Sequence, residues 1–347
     1  MGSVIVSGRD HRQAHAHPAP RDQRARPRVG YQHPAIGHPV RRLPGQVNPT
    51  EVSPRRVRSR PFDPQHPVVL ITGASQGIGR ATAELYAARG AQLVLCARSA
   101  AALEEVRAVC ANFGAPVEVV VTDVTDDAQV QHAVATALAR FGRLDVCAHV
   151  AGVSAFSPHT DTTSAVFAQV VDTNVVGAAN VARAALTVFR AQRAGTLVMV
   201  GSILGRIAVP GAGAYVASKW ALRGLVRVLQ QENRDMPGVR VTSVAPGSVR
   251  TAIFARTVGG GGFSQRAPAP STSPRTVARA IRAAAQRAPR ERDVDAFGGL
   301  GNKVAAAVFR FAPDVFDLVV GPLMRAVSPA PAPPKLDRTA QGGGERQ

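Results

Sequence analysis

Cysteine is scarce in this chain, with three residues in 347. The number is odd and the spacing of Cys96, Cys110 and Cys147 fits no metal-ligand pattern. A disulfide framework and a zinc module are therefore not expected. The thiols read instead as small core residues in a reducing compartment, and a cytoplasmic location is expected. Lysine is equally scarce. The formal net charge is +19, yet only Lys219, Lys303 and Lys335 are lysines, so the basicity is almost all arginine. It is spread along the chain and not gathered into one stripe, so no nucleic-acid partner is expected. No run of eighteen apolar residues occurs, which predicts no membrane-spanning helix. The N-terminus lacks the apolar stretch of a secretory signal.

What is present is uneven. Residues 1–66 hold 12 arginines and six of the nine histidines but little apolar material. Such a segment cannot bury enough surface to offset its ordering entropy and is expected to be a disordered basic arm. From Pro67 the texture changes. Val68–Ile71, Gln92–Cys96, Val117–Val121, Leu144–Ala148, Thr196–Val200 and Val239–Val244 read as buried strands, with amphipathic helical stretches between them. Ser273-Pro274 reads as a helix start, and Asp293–Phe297 as a last strand. This alternation predicts an α/β fold: one doubly wound, Rossmann-type domain over 67–298, its sheet mostly parallel and six- to seven-stranded. Residues 299–327 form an apolar helical appendix, broken at Pro313 and at Gly321-Pro322. It could cover a cleft, dock on a partner subunit, or lie on a membrane surface, the last being least favoured. After Ser328 a second disordered tail is expected.

Gly73, Gly77 and Gly79 stand as G-x-x-x-G-x-G between the first strand and the first helix. Glycines there let the backbone approach a pyrophosphate, and the helix N-terminus supplies N–H groups and positive potential. A tight turn without a ligand is the alternative. No acid ends the second strand, and Arg98 follows it directly. An arginine there accommodates a 2′-phosphate, so NADP(H) is favoured over NAD(H). Arg80 could add a second phosphate contact.

Tyr215 and Lys219 stand as Y-x-x-x-K, a spacing that puts both on one helix face. An adjacent ammonium is expected to lower the tyrosine pKa and suit it to exchange a proton with a carbonyl or alcohol oxygen. Ser202, after a predicted strand, can hydrogen-bond the same oxygen. No His–acid relay is placed to make Ser202 a nucleophile.

Together these residues resemble the short-chain dehydrogenase/reductase family in its classical form, over residues 67–298. The match runs through Thr72-Gly73-Ala74-Ser75-Gln76-Gly77-Ile78-Gly79, Asp123-Val124, Ala151-Gly152, Asn174, Ser202, Tyr215, Lys219 and Pro246-Gly247 with Thr251. The resemblance implies an NADP(H)-dependent oxidoreductase acting on a carbonyl or secondary alcohol. Tyr215 would be the general acid/base, Lys219 would also hold the nicotinamide ribose, and Ser202 would position the substrate. Asn174 would hold a water in the proton relay. The segment Gly73–Gly79, including Ser75, Gln76 and Ile78, would carry the phosphates, and Asp123 and Val124 the adenine. Ala151, Gly152, Pro246, Gly247 and Thr251 would line the rest of the cofactor. A homodimer or homotetramer is implied. One departure stands out: His149-Val150 replaces the family's usual Asn-Asn. A packed structural histidine is the expectation there, over a metal ligand.

Ser154, Phe156, Leu204, Val209 and the segment Ala252–Ser273 are pocket candidates. Their mostly apolar character favours a hydrophobic substrate. Val258–Phe263, with its four consecutive glycines, reads as part of a lid or as a plain flexible loop. The competing reading is a non-catalytic NADP(H)-binding sensor or scaffold, against which the intact Asn174, Ser202, Tyr215 and Lys219 set argues.

Overall fold

The structure, a computed structural model, describes residues 66–255, 257–260 and 267–327. The chain divides into two units, Met1–Arg55 and Arg56–Gln347, and every described residue belongs to the second. The arm expected at 1–66, but for His66, and the tail after Ser328 lie outside the described residues.

Seven strands form one parallel sheet in the order β3-β2-β1-β4-β5-β6-β7. They are β1 (Val68–Thr72), β2 (Gln92–Ala97), β3 (Val117–Val121), β4 (Val146–His149), β5 (Gly195–Val200), β6 (Val239–Pro246) and β7 (Glu291–Val294). β1 and β4 are buried throughout, as strands covered on both faces must be. The expected last strand lies slightly earlier than read: β7 ends at Val294, and Phe297 is exposed.

Helices α1 (Gly77–Ala87), α2 (Ala100–Ala111) and α3 (Asp127–Phe141) follow the first three strands. Asp126 caps α3 by accepting the Gln129 N–H, and Gly142 ends it in the left-handed region. After β4 come α4 (Ser164–Val171), a π turn (Asp172–Val176) and α5 (Gly177–Gln192), continuous over 29 residues. By length and composition this helix could cross a membrane. Its Val181, Ala185 and Phe189 are instead buried in the core beneath β1, β4 and β5. α6 (Gly213–Glu232) follows β5, and α7 (Pro274–Arg287) follows β6. As the sequence indicates, α7 opens on Ser273, whose hydroxyl accepts the Thr276 N–H, with proline inside the first turn. Two apolar clusters, one on each sheet face, make the core. The three cysteines are buried, and the thiols of Cys96 and Cys110 are pushed up to about 12 and about 11 by burial.

The appendix forms a helical hairpin, α8 (Leu300–Phe311) and α9 (Pro313–Val327), turning at Ala312. The expected break at Gly321-Pro322 is absent, because Pro322 lies inside α9. The missing N–H would have served the carbonyl of Leu318, on the exposed side of the helix, where water can take its place.

Candidate active site

The sheet order reverses between β1 and β4, which opens a crevice at the carboxyl ends of the strands. Two cavities meet there. A groove of about 340 Å³ is lined by Gly73, Ser75, Gln76, Gly77, Ile78 and Gly79, by Arg98, by Asp123 and Val124, and by Ala151, Gly152 and Thr251. A second cavity, about 230 Å³, is lined by Ser202, Tyr215, Lys219, Pro246, Gly247 and a largely apolar wall. Ile78, Val150, Gly152, Thr251 and Ile253 border both, so the two are neighbouring halves of one site.

The groove is shaped by backbone. Gly73 has φ +67°, and a Cβ there would meet the Ala151 backbone at 2.8 Å. A Cβ on Gly79 would collide with the Gly73 carbonyl. No side chain caps α1 from Gln76 and no acid sits in its first turn, which leaves the helix end suited to an anion. Arg98 is exposed at the rim, after β2. Arg80 does not line the groove: its Nε bonds Glu84 at 2.9 Å along the same helix, so a phosphate role for it finds no geometric basis. Asp123 accepts hydrogen bonds from the N–H and hydroxyl of Thr125. The residues present fit an extended diphosphate with a basic rim.

The cavity floor holds Tyr215 and Lys219, buried on the first turns of α6. Tyr215 is hydrogen-bonded to Ser202, which caps the short turn Ile203–Gly205 by accepting the Leu204 N–H at 3.1 Å. Lys219 Nζ donates to the Val200 carbonyl at 3.3 Å and lies 5.5 Å from the Tyr215 ring centroid. The expected lowering of the tyrosine is not what this arrangement gives. Burial pushes Tyr215 up to about 12, against which the Ser202 hydrogen bond works, and burial pulls Lys219 down to about 8. The ammonium faces a carbonyl and the ring, so desolvation governs both groups.

Asn174 sits in the π turn, and its side chain is committed to protein. Its Oδ1 accepts the Val153 N–H, and its Nδ2 donates to the Val153 carbonyl and to Ser218 Oγ, each at 2.9 Å. The amide therefore clamps the loop after β4. A water at this position would need a backbone carbonyl, which a wide turn can free from the helical ladder.

His149 is buried at the end of β4. Its Nδ1 lies 2.9 Å from Thr72 Oγ1, which accepts the N–H groups of Val150 and Ala151 at 3.2 and 3.3 Å. With both lone pairs engaged, the Thr72 hydroxyl has its proton left for Nδ1, which places the imidazole proton on Nε2. Burial, with Lys219 nearby, holds His149 down at about 3, so it is neutral. The histidine thus braces β1 against β4 where the usual asparagine is missing.

Of the pocket candidates, Phe156, Leu204 and Val209 line the cavity, as do Ile253, Phe254 and Pro268 from the segment Ala252–Ser273. Ser154 does not; its hydroxyl donates to the Ile253 carbonyl at 2.8 Å and ties down that segment. The glycine stretch Val258–Phe263 lies only in part within the described residues. Sequence reasoning missed three residues, two in the appendix and one just before it. Met324 of α9 lines the cavity. Asn302 of α8 donates to the Ala245 carbonyl at 2.9 Å, and its Oδ1 lies against Gly247. Asp295 accepts the N–H groups of Phe297, Gly299 and Asn302. Burial works to raise Asp295, but these backbone N–H groups hold it below the usual carboxylate range. The readable signal was an Asp seven residues ahead of an Asn, bracketing Gly298-Gly299 at a helix start.

The family model described as short chain dehydrogenase matches residues 67–259. An uncharacterized oxidoreductase of Listeria monocytogenes is 36% identical over 189 residues, which is 54% of this chain and 76% of that protein. The human dehydrogenase/reductase SDR family member 7 is 35% identical over 197 residues, 56% of this chain and 58% of the relative. Among solved structures, an alcohol dehydrogenase from the archaeon Thermococcus sibiricus, complexed with 5-hydroxy-NADP, superposes with a TM-score of 0.58. It is 29% identical and covers 66% of this chain and 96% of its own. A levodione reductase superposes with a TM-score of 0.56 at 29% identity, covering 62% and 89%. With the fold, the paired cavities and these likenesses in agreement, the chain belongs to the short-chain dehydrogenase/reductase family and is an oxidoreductase of that type.

Proposed function

We propose that this enzyme transfers hydride between NADP(H) and an apolar carbonyl or secondary alcohol, with Tyr215 as the general acid/base. The observation that carries the reading is the junction of the two cavities, where Tyr215, bonded to Ser202, borders an apolar chamber opening onto the glycine-lined groove. NADP(H), when bound, supplies or accepts the hydride. Tyr215 is held protonated to about 12, so it meets a carbonyl oxygen as a proton donor, which favours reduction. Ser202 shares the same oxygen and fixes the substrate's orientation. Lys219, within the same floor, holds positive charge below about pH 8, and it contacts the cofactor ribose in this reading. Asn174 fixes the loop carrying Ala151 and Gly152, and the proton relay passes by the backbone of its π turn. Arg98 at the rim selects a 2′-phosphate. Pro246, Gly247 and Thr251 flank the nicotinamide. The enzyme works in the cytoplasm as a homodimer or homotetramer. The Tyr215–Ser202 bond gives a purely sensing role no support.

The test is NADPH oxidation across a panel of apolar ketones and aldehydes, with NADPH and NADH affinities measured by fluorescence. Tyr215→Phe should abolish turnover while leaving NADPH binding. Arg98→Ala should weaken NADPH by about 10- to 100-fold, as loss of a charge-assisted contact does, and leave NADH unchanged. Turnover surviving in Tyr215→Phe, or no NADPH binding by the native chain, would overturn the reading.

A further inference from the structure

The α8–α9 hairpin has two apolar faces, and the active site uses one of them. The inner face carries Phe309, Phe316, Val320 and Met324. It packs on Ile207, Leu204 and Val209 around the Ser202 turn and walls the substrate cavity. Phe309 meets Phe316 edge-on at 5.1 Å, which fixes the two helices to each other. The outer face is apolar as well, and nothing among the described residues covers it. On α8, Leu300, Val304 and Phe311 recur at helical spacing, and Phe311 is 77% exposed. On α9, Val315, Leu318 and Val319 do the same, and Leu318 is 75% exposed. Because both helices turn their other sides into one inner cluster, the two stripes look away from the protein together. Large apolar side chains exposed side by side mark an interaction surface.

Charge indicates the partner. Lys303 and Arg310, seven residues apart, flank the α8 stripe, and the Arg310 guanidinium stands 5.3 Å from the Phe311 ring centroid. Long cationic side chains at the edge of an apolar stripe reach headgroup phosphates while their stems stay in the apolar layer. Asp314 and Asp317 oppose them locally, but residues 67–347 hold 30 basic and 19 acidic side chains, a net of +11. The helices are 12 and 15 residues long. Neither attains the roughly 20 residues that crossing a bilayer requires, so the geometry is that of a hairpin lying in the membrane plane.

We propose that the outer face of α8–α9 binds an anionic lipid surface, which sets the apolar cavity beside the layer where apolar carbonyls partition. The inference deepens the substrate reading above and rests on it only for what the cavity takes up.

The test is co-sedimentation of the full chain with vesicles of phosphatidylcholine and phosphatidylglycerol at 3:1, and with phosphatidylcholine alone. The mixed vesicles should bind the protein, and Phe311→Ser with Leu318→Ser should weaken that binding at least about tenfold with NADPH affinity unchanged. Lys303→Gln and Arg310→Gln should each cost about fivefold on the mixed vesicles and little on the neutral ones. Should the serine variant not fold, Phe311→Trp supplies the readout: its emission should shift to the blue on mixed vesicles relative to the native Trp220. Absence of vesicle binding, equal binding by the serine variant, or no shift in Phe311→Trp overturns the proposal. So does a concentration-dependent dimer that the serine variant abolishes without any vesicle binding, which assigns the face to a second copy. Sedimentation does not read turnover, so failure on the carbonyl panel would sink the substrate reading and leave the lipid contact standing.

Discussion

Lys219 costs stability in order to be charged where it is. Burial lowers it from 10.5 to about 8. In the unfolded chain the same lysine stays protonated up to its ordinary value, so folding expels a proton between those two pH values. The group's contribution to stability therefore rises with pH across that window and is most unfavourable below it. At about 1.4 kcal/mol per unit, the penalty at pH 7 is roughly 3 kcal/mol, and at pH 10 it shrinks to below about 1 kcal/mol. Lys219→Met keeps the length of the side chain and removes the charge. It also deprives the Val200 carbonyl of a donor, at about 1 kcal/mol.

The variant should thus be more stable than the native protein by about 2 kcal/mol at pH 7 and nearly equal to it at pH 10, while losing turnover. Urea unfolding followed by circular dichroism at both pH values reads the difference directly. A variant less stable at pH 7, or one with the same gain at both, would refute the reasoning. The first outcome means the ammonium is paid for by contacts stronger than the Val200 bond. The second means that packing, and not charge, makes the change.

The same group sets a pH limit on function: NADPH affinity and turnover should fall as pH rises through about 8, while Tyr215, protonated to about 12, contributes nothing to that limb. A titration of NADPH fluorescence from pH 6 to 10 checks this. In the β1–β4 brace, Thr72→Val removes the acceptor of two backbone N–H groups and the partner of His149, whereas His149→Leu removes one partner only. Thr72→Val should cost more, by about 1–2 kcal/mol in urea, and the reverse order would show the network misread. Asn302→Ala removes a side-chain donor from the Ala245 carbonyl and the amide that lies against Gly247, and should weaken NADPH about tenfold with little change in kcat. Calorimetry of NADPH binding measures it.

Most of the fold was legible because strands buried on both faces write themselves as short unbroken apolar runs. Six of the seven were read within two residues, and Ser273 announced α7 through its cap. β7 was displaced because its sequence, Glu291-Arg292-Asp293-Val294, is nearly all charged. It lies at the sheet edge, and Asp293 and Glu291 answer Arg206, a long-range ion pair that no local pattern encodes. The π turn at Asn174 was invisible for a similar reason. Its sequence, Asp-Thr-Asn-Val-Val, is compatible with ordinary helix, and the widening shows only in the backbone, where the Gly177 N–H reaches back to the Asp172 carbonyl.

The site was legible in its membership and not in its electrostatics. Except for Arg80, which turns to Glu84, and Lys219, Pro246 and Gly247, which line the neighbouring cavity, the residues read for the cofactor line the groove, since glycine spacing and strand ends fix backbone positions. The sign of the Tyr215 shift was misjudged because spacing on a helix tells which residues are neighbours, not where the ammonium points or how dry the floor is. Part of that burial comes from the appendix, whose Met324 lines the cavity beside Leu204 and Val209. A residue about 100 positions downstream of the Tyr–Lys pair thus adds to the desolvation that sets its proton affinities. The same apolar wall would strengthen the hydrogen bonds from Ser202 and Tyr215 to charge developing on a substrate oxygen, because it lowers the local polarity around them. A truncation after Gly298 would strip that wall and leave the groove lining intact. On this argument it should bring Tyr215 down and Lys219 up, toward their ordinary values. The titration midpoint in NADPH binding should then move above 8, while the groove's preference between the two nicotinamide cofactors stays as it was.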